Sequence, residues 1–78
     1  VKPLTHMAMW LQNDVPKMHF SLHMYTSEDA SSWVRLNGQD YFTGAITEEG
    51  LIIEKILPQK VILQYKNQRF SMQALSNW

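Results

Sequence analysis

The sequence predicts an all-β domain: a small antiparallel β-sandwich or partly open barrel of about six strands, with one short N-terminal helix. Three observations predict it. Apolar and polar residues alternate from Lys17 to Tyr25, the period of a strand with one buried face. Asn37-Gly38 separates two short apolar runs, the strongest short-range sign of a hairpin. No helical stretch long enough for a crossover lies between the strands, which excludes parallel βαβ architecture.

The elements follow in order. Leu4, Met7, Met9, Trp10 and Leu11 recur at loosely helical spacing, predicting about two turns of helix over residues 6–12. Thr5 is placed to cap it, and Pro16 closes the segment because the residue before proline disfavours the helical region. So short a helix must dock on something to persist. In the strand that follows, Met18, Phe20, Leu22 and Met24 are expected to face inward. Lys17, His19, Ser21, His23 and Tyr25 are expected to face solvent. Thr26 to Ser32 reads as a loop, with Ser27, Glu28 and Asp29 opening one short turn.

Trp33–Leu36 and Gln39–Phe42 form the hairpin, which sets Arg35 across from Asp40. Gly44 breaks the second strand, and a polar connection runs to Gly50. Leu51–Leu57 is rich in β-branched residues and reads as a strand ended by a Pro58-Gln59 turn. Lys60–Tyr65 returns, Lys66-Asn67-Gln68 turns tightly, and Arg69–Leu75 is the last strand. Residues 1–78 are thus expected to form a single interaction domain, with a short helix about 6–12 and a β domain about 17–75.

Composition narrows the function. Seven Lys plus Arg balance seven Asp plus Glu, so there is none of the basic excess typical of nucleic-acid binders. There is no cysteine, which rules out disulfides, thiolate nucleophiles and cysteine-based zinc sites. No apolar run approaches the ~20 residues of a membrane span, and the N-terminus lacks the pattern of a signal peptide. A chain that begins Val1-Lys2-Pro3 is expected to be a processed or excised fragment, with any anchor outside it.

His19 and His23 are the obvious candidates for chemistry. On a helix, positions four apart share a face and can share a metal. On a strand they are about 13 Å apart, whereas each ligand of a zinc ion lies about 2 Å from it. The pair is therefore not a metal site. Ser21 lies between them, about 7 Å from each neighbour on its face, too far for a nucleophile–base hydrogen bond. There is no nucleophile elbow, and Gly38, Gly44 and Gly50 are spaced turn glycines rather than a phosphate loop. The expectation is a protein that is not an enzyme, with no catalytic residue, metal or cofactor.

Two binding modes remain. Trp10, Trp33 and Trp78 with Tyr25, Tyr41 and Tyr65 could offer a platform for peptidoglycan or another glycan, although tryptophans in small sandwiches more often plug the ends of the core. The other candidate is backbone. Lys17–Tyr25 carries no internal proline or glycine, and at a sheet edge it could accept a partner strand. The expected contact residues are Lys17, His19, Phe20, Ser21, Leu22, His23 and Tyr25.

The ordered set of motifs resembles the C-terminal periplasmic domain of the type II secretion B component, the GspB family. The matching residues are His23, Met24, Tyr25 and Ser27, then Val34, Leu36, Asn37 and Gly38. They continue through Tyr41, Gly44, Glu49, Gly50, Leu51, Ile53 and Ile56, and end with Val61, Leu63, Tyr65, Arg69 and Phe70. Two positions depart from the pattern: Trp33 stands where the family commonly has a basic residue, and Pro58-Gln59-Lys60 replaces a frequent Asp-Gly turn. The resemblance implies a single-pass inner-membrane protein of Gram-negative bacteria, joined by a linker to this periplasmic β-sandwich. It implies a scaffold that holds the outer-membrane secretin through the secretin's N-terminal periplasmic domains. Other inner-membrane secretion components and a weak homodimer are further expected partners. Membrane contact would come only through the absent anchor, and nucleic acid is not a partner.

Overall fold

The computed structural model describes the backbone of residues 1–78 and every side chain except that of Asp29. It contains two three-stranded antiparallel sheets and no closed barrel. The first sheet runs β1 (Phe20–Met24), β2 (Trp33–Leu36) and β3 (Gln39–Phe42), in that order. The second runs β4 (Ile52–Ile56), β5 (Lys60–Tyr65) and β6 (Gln68–Gln73). Each sheet is a meander, with tight turns at β2–β3, β4–β5 and β5–β6 and a longer loop, residues 25–32, between β1 and β2.

The turns explain the registers. Asn37 and Gly38 both have positive φ, 52° and 83°, the pair of conformations a two-residue type I′ hairpin needs. Leu36 then pairs with Gln39 and Arg35 with Asp40. Lys66 and Asn67 do the same with φ 48° and 65°, so the tight turn is two residues long and Gln68 already belongs to β6.

One core serves both sheets. Phe20, Val34 and Leu36 from the first sheet meet Ile53, Ile56, Val61, Leu63, Phe70 and Met72 from the second. Burying such side chains is the main stabilising term, of the order of 1.5–3 kcal/mol for each large apolar residue.

The N-terminal segment differs from expectation. A 3₁₀ turn spans Leu4–His6, Met7 is extended, and α1 runs over Met9–Asp14. Thr5 does not cap a helix: the N-cap of α1 is Ala8, and it makes no side-chain cap bond. Gln12 instead reaches back, its amide Nε2 donating to the Met7 and Thr5 carbonyls. The gain from burying Leu4 and Leu11 in the core, with Met7 packed against it, outweighs the local preference for a continuous helix. Lys66 and Asp14 form an ion pair that ties α1 to the β5–β6 turn.

Candidate partner-docking edge

Sheet edges expose unpaired backbone groups, so the position of each edge decides what can dock. Both edges of the second sheet are covered in part by the chain itself. Ser71 N–H donates to the Lys2 carbonyl, and Pro3 forms a parallel bridge to Ser71, so the N-terminal segment lies along β6. Residues 44–47 lie along the edge of β4: Gly44 N–H donates to Ile53 O, Ile53 N–H to Ala45 O, and Thr47 N–H to Leu51 O.

The first sheet is different. The early part of the β1 edge is capped by the C-terminal tail: Met18 and Trp78 exchange two backbone bonds, and Phe20 N–H donates to Ser76 O at 3.1 Å. Beyond Phe20, among the described residues, no backbone bond joins the outer edge of Ser21–Met24 to another element. That stretch and β3 are the open edges of the first sheet. At β3, Glu48 and Glu49 of the neighbouring turn face Leu36, Gln39 and Tyr41 across a small cavity. Burial, then the Glu49 and Glu48 charges, push the Tyr41 phenol above its ordinary range. The β3 edge is thus flanked by the negative charge of Glu48 and Glu49. The β1 edge has no carboxylate between Ser21 and Tyr25.

A bulge at Ser21 reorganises the β1 side chains. Phe20 pairs with Leu36, but Leu22 pairs with Arg35, so Ser21 is an extra residue. One extra residue moves everything after it to the opposite face. His23 therefore pairs with buried Val34 and points inward, while Leu22 and Met24 turn outward with Arg35 and Trp33. This corrects the expected faces. His23 was expected outward and Leu22 and Met24 inward; instead His23 is half-buried and Met24 is 46% exposed. His23 Nε2 meets the Leu57 carbonyl at 2.6 Å, and its Nδ1 is buried with no hydrogen-bond partner among the described residues.

The remaining expected contact residues fall into distinct groups. Phe20 is 2% exposed and its N–H is already bonded to Ser76, so its side chain belongs to the core. Lys17 and His19 are exposed but lie beside the tail and the hairpin. Asn37 Oδ1 accepts from His19 N–H at 2.8 Å, and its Nδ2 donates to Lys17 O at 2.9 Å. His19 Nδ1 bonds Asn77 Oδ1 at 2.5 Å. Ser21 and Leu22 remain on the open stretch, and Tyr25 follows it directly. Met24, Trp33 and Phe42, which sequence periodicity did not single out as a group, form a cross-strand row on the outer face.

The tryptophans do not form a common platform. Trp78 packs against the core, and its indole N–H donates to Gln12 O at 3.2 Å. Trp33 lies under the Arg35 guanidinium, and Trp10 is exposed on α1. Among the described residues no group of three or more His, Cys, Asp or Glu is arranged to hold a metal. Nor, among them, is any helix long and apolar enough to cross a membrane.

The family model described as Type II secretion system protein B matches residues 15–74. The chain belongs to that family. It is 35% identical over 65 residues to General secretion pathway protein B of Dickeya dadantii, covering 83% of this chain and 30% of the relative. It is 29% identical over 76 residues to the protein of the same name from Aeromonas hydrophila, covering 97% of this chain and 34% of the relative. The chain thus spans about a third of the length of these relatives. It is also similar to the crystal structure of Dickeya dadantii GspB from the type 2 secretion system. That match has a TM-score of 0.77 and 36% identity, and covers 82% of this chain and 76% of the other. The matched stretch of this B-family chain includes β1 to β6 and the open edge.

Proposed function

We propose that this chain is a non-enzymatic scaffolding domain in the periplasm, part of a type II secretion inner-membrane protein. It holds the outer-membrane secretin by adding a strand from the secretin's N-terminal periplasmic domains to the edge of β1. The observation that carries this reading is the open stretch Ser21–Met24, beside a second sheet whose edges are covered by the chain itself at Ser71 of β6 and at Leu51–Ile53. Membership of the type II secretion B family supports the system in which it acts.

Backbone bonds alone make a weak clamp here. Leu22–Tyr25 presents only every second residue outward, giving about two to four bonds of about 1 kcal/mol each. Association costs roughly 4–15 kcal/mol. Side chains on the same strand must supply the rest.

Cysteines placed singly at positions 21–25 and on the secretin domain test this reading. Strand addition gives disulfides that alternate along β1 with the pleat. Failure of every pair to cross-link, with both proteins folded, contradicts it.

A further inference from the structure

A strand added along β1 places its side chains alternately on the two faces of the first sheet. On the outer face its neighbours are already set. The row Met24–Trp33–Phe42 crosses the whole sheet, with Met24 46% and Phe42 54% exposed. Beside it runs the row Leu22–Arg35–Asp40. Both charges of that row are satisfied within it: Arg35 Nε donates to Asp40 Oδ1 at 2.7 Å, and the guanidinium carbon lies 5.9 Å from the centre of the Trp33 ring. The outer face therefore offers a partner no uncompensated charge, and its two residues at the β1 edge are Leu22 and Met24.

We propose that the added strand is recognised through this outer face. The partner's side chains beside Leu22 and Met24, two residues apart, are both apolar, and they extend the two rows by one strand. The proposal rests on the strand-addition reading above and names the chemistry of the segment that docks there. The occupant is an extended stretch of the partner with alternating apolar residues, not a second copy packed face to face. Three strands about 4.8 Å apart and four residues at about 3.4 Å give a face on the order of 200 Å². A stable interface needs about 800 Å² on each partner. A strand lengthens the sheet instead and covers the edge backbone and the two apolar side chains together. The tail provides a precedent within the chain, since Ser76–Trp78 already runs antiparallel along Met18–Phe20. An antiparallel partner strand takes the part of the edge that the tail leaves free.

The test is the affinity of the purified chain for the N-terminal periplasmic domains of the secretin from the same secretion system, measured by calorimetry. The variants are Leu22→Thr, Met24→Thr and Phe42→Thr, in which threonine keeps strand propensity but removes apolar surface. Leu22→Thr and Met24→Thr each weaken binding by about fourfold or more, as loss of roughly one buried CH₂ or more predicts. Phe42→Thr, two strands from the edge, stays within about twofold, because a strand added at β1 does not reach it. Met24 is exposed in the free chain, so Met24→Thr carries the test if Leu22→Thr does not fold. Unchanged affinity for Met24→Thr, with binding still mapping to the β1 edge, overturns the side-chain proposal and leaves strand addition standing. A larger loss for Phe42→Thr than for Met24→Thr overturns it in favour of a partner that covers the sheet face. Absence of binding by the unmodified chain overturns the strand-addition reading and this proposal with it.

Discussion

His23 Nε2 lies 2.6 Å from the carbonyl oxygen of Leu57, tying β1 of the first sheet to the turn that joins β4 and β5. A carbonyl oxygen only accepts, so Nε2 carries the hydrogen in this contact. The contact exists because the Ser21 bulge turns His23 inward opposite Val34. His23 is therefore a fastening between the two sheets, and the outward surface of β1 consists of Leu22 and Met24.

His23→Ala removes this bond and leaves the Leu57 carbonyl without its partner. The expected cost is about 1–3 kcal/mol of stability. Urea unfolding, with the midpoint lowered and the slope unchanged, measures it. An unchanged midpoint would show that the two sheets do not depend on this contact.

Asn37 has two separable roles. Its φ of 52° suits a residue that tolerates the left-handed region, and its side chain bridges His19 N–H and Lys17 O. Asn37→Gly keeps the backbone freedom and loses the bridge, at about 1–2 kcal/mol. Asn37→Ala loses both, and is expected to be less stable than Asn37→Gly by a further ~1 kcal/mol. Thermal unfolding of the pair separates the terms, and equal stabilities would assign the whole effect to the bridge.

The tail protects specific amides. Met18 and Phe20 donate to the Trp78 and Ser76 carbonyls, so Trp78→Ala, which removes the side chain packed on the core, should loosen both. Hydrogen exchange should speed up at Met18 and Phe20 and stay slow at Val34 and Leu63. Uniform acceleration would instead indicate global destabilisation.

The Arg35–Asp40 pair gives a pH signature. The hydrogen bond from Arg35 holds the Asp40 carboxyl below its ordinary range. A lowered folded pKa contributes stability above the unfolded carboxylate range, and that contribution is lost as pH falls through the folded value. The melting temperature of the unmodified chain should therefore exceed that of Asp40→Asn at neutral pH, with the gap closing below about pH 3.9. Both side chains are exposed, so the gap is small and shrinks with salt.

Much of this fold was legible in the sequence where local chemistry dictates geometry. Asn37-Gly38 set one hairpin, and with it the Arg35–Asp40 pairing followed by counting. The apolar run between the Pro58-Gln59 and Lys66-Asn67 turns marked β5, and the alternation in Arg69–Leu75 marked β6, although β6 starts one residue earlier and ends at Gln73. The bulge at Ser21 was not legible, because a clean period of two carries no sign of where one residue is left unpaired. That single slip exchanged the faces of Leu22, His23 and Met24. The edge covers were hidden for a related reason. Lys2-Pro3 and Ser76–Trp78 pair through isolated bridges too short to impose a periodic pattern. The helix shifted because Met7 is extended and Leu11 is drawn into the core, a tertiary demand that outweighs local spacing.

The most direct test of the docking account is amide hydrogen exchange on the chain with and without the secretin's N-terminal periplasmic domains. Strand addition at β1 predicts slowed exchange confined to outward amides of Ser21–Tyr25, with Gln39–Phe42 of β3 unchanged. Protection at β3 with none at β1, or binding without protection at either edge, would contradict it.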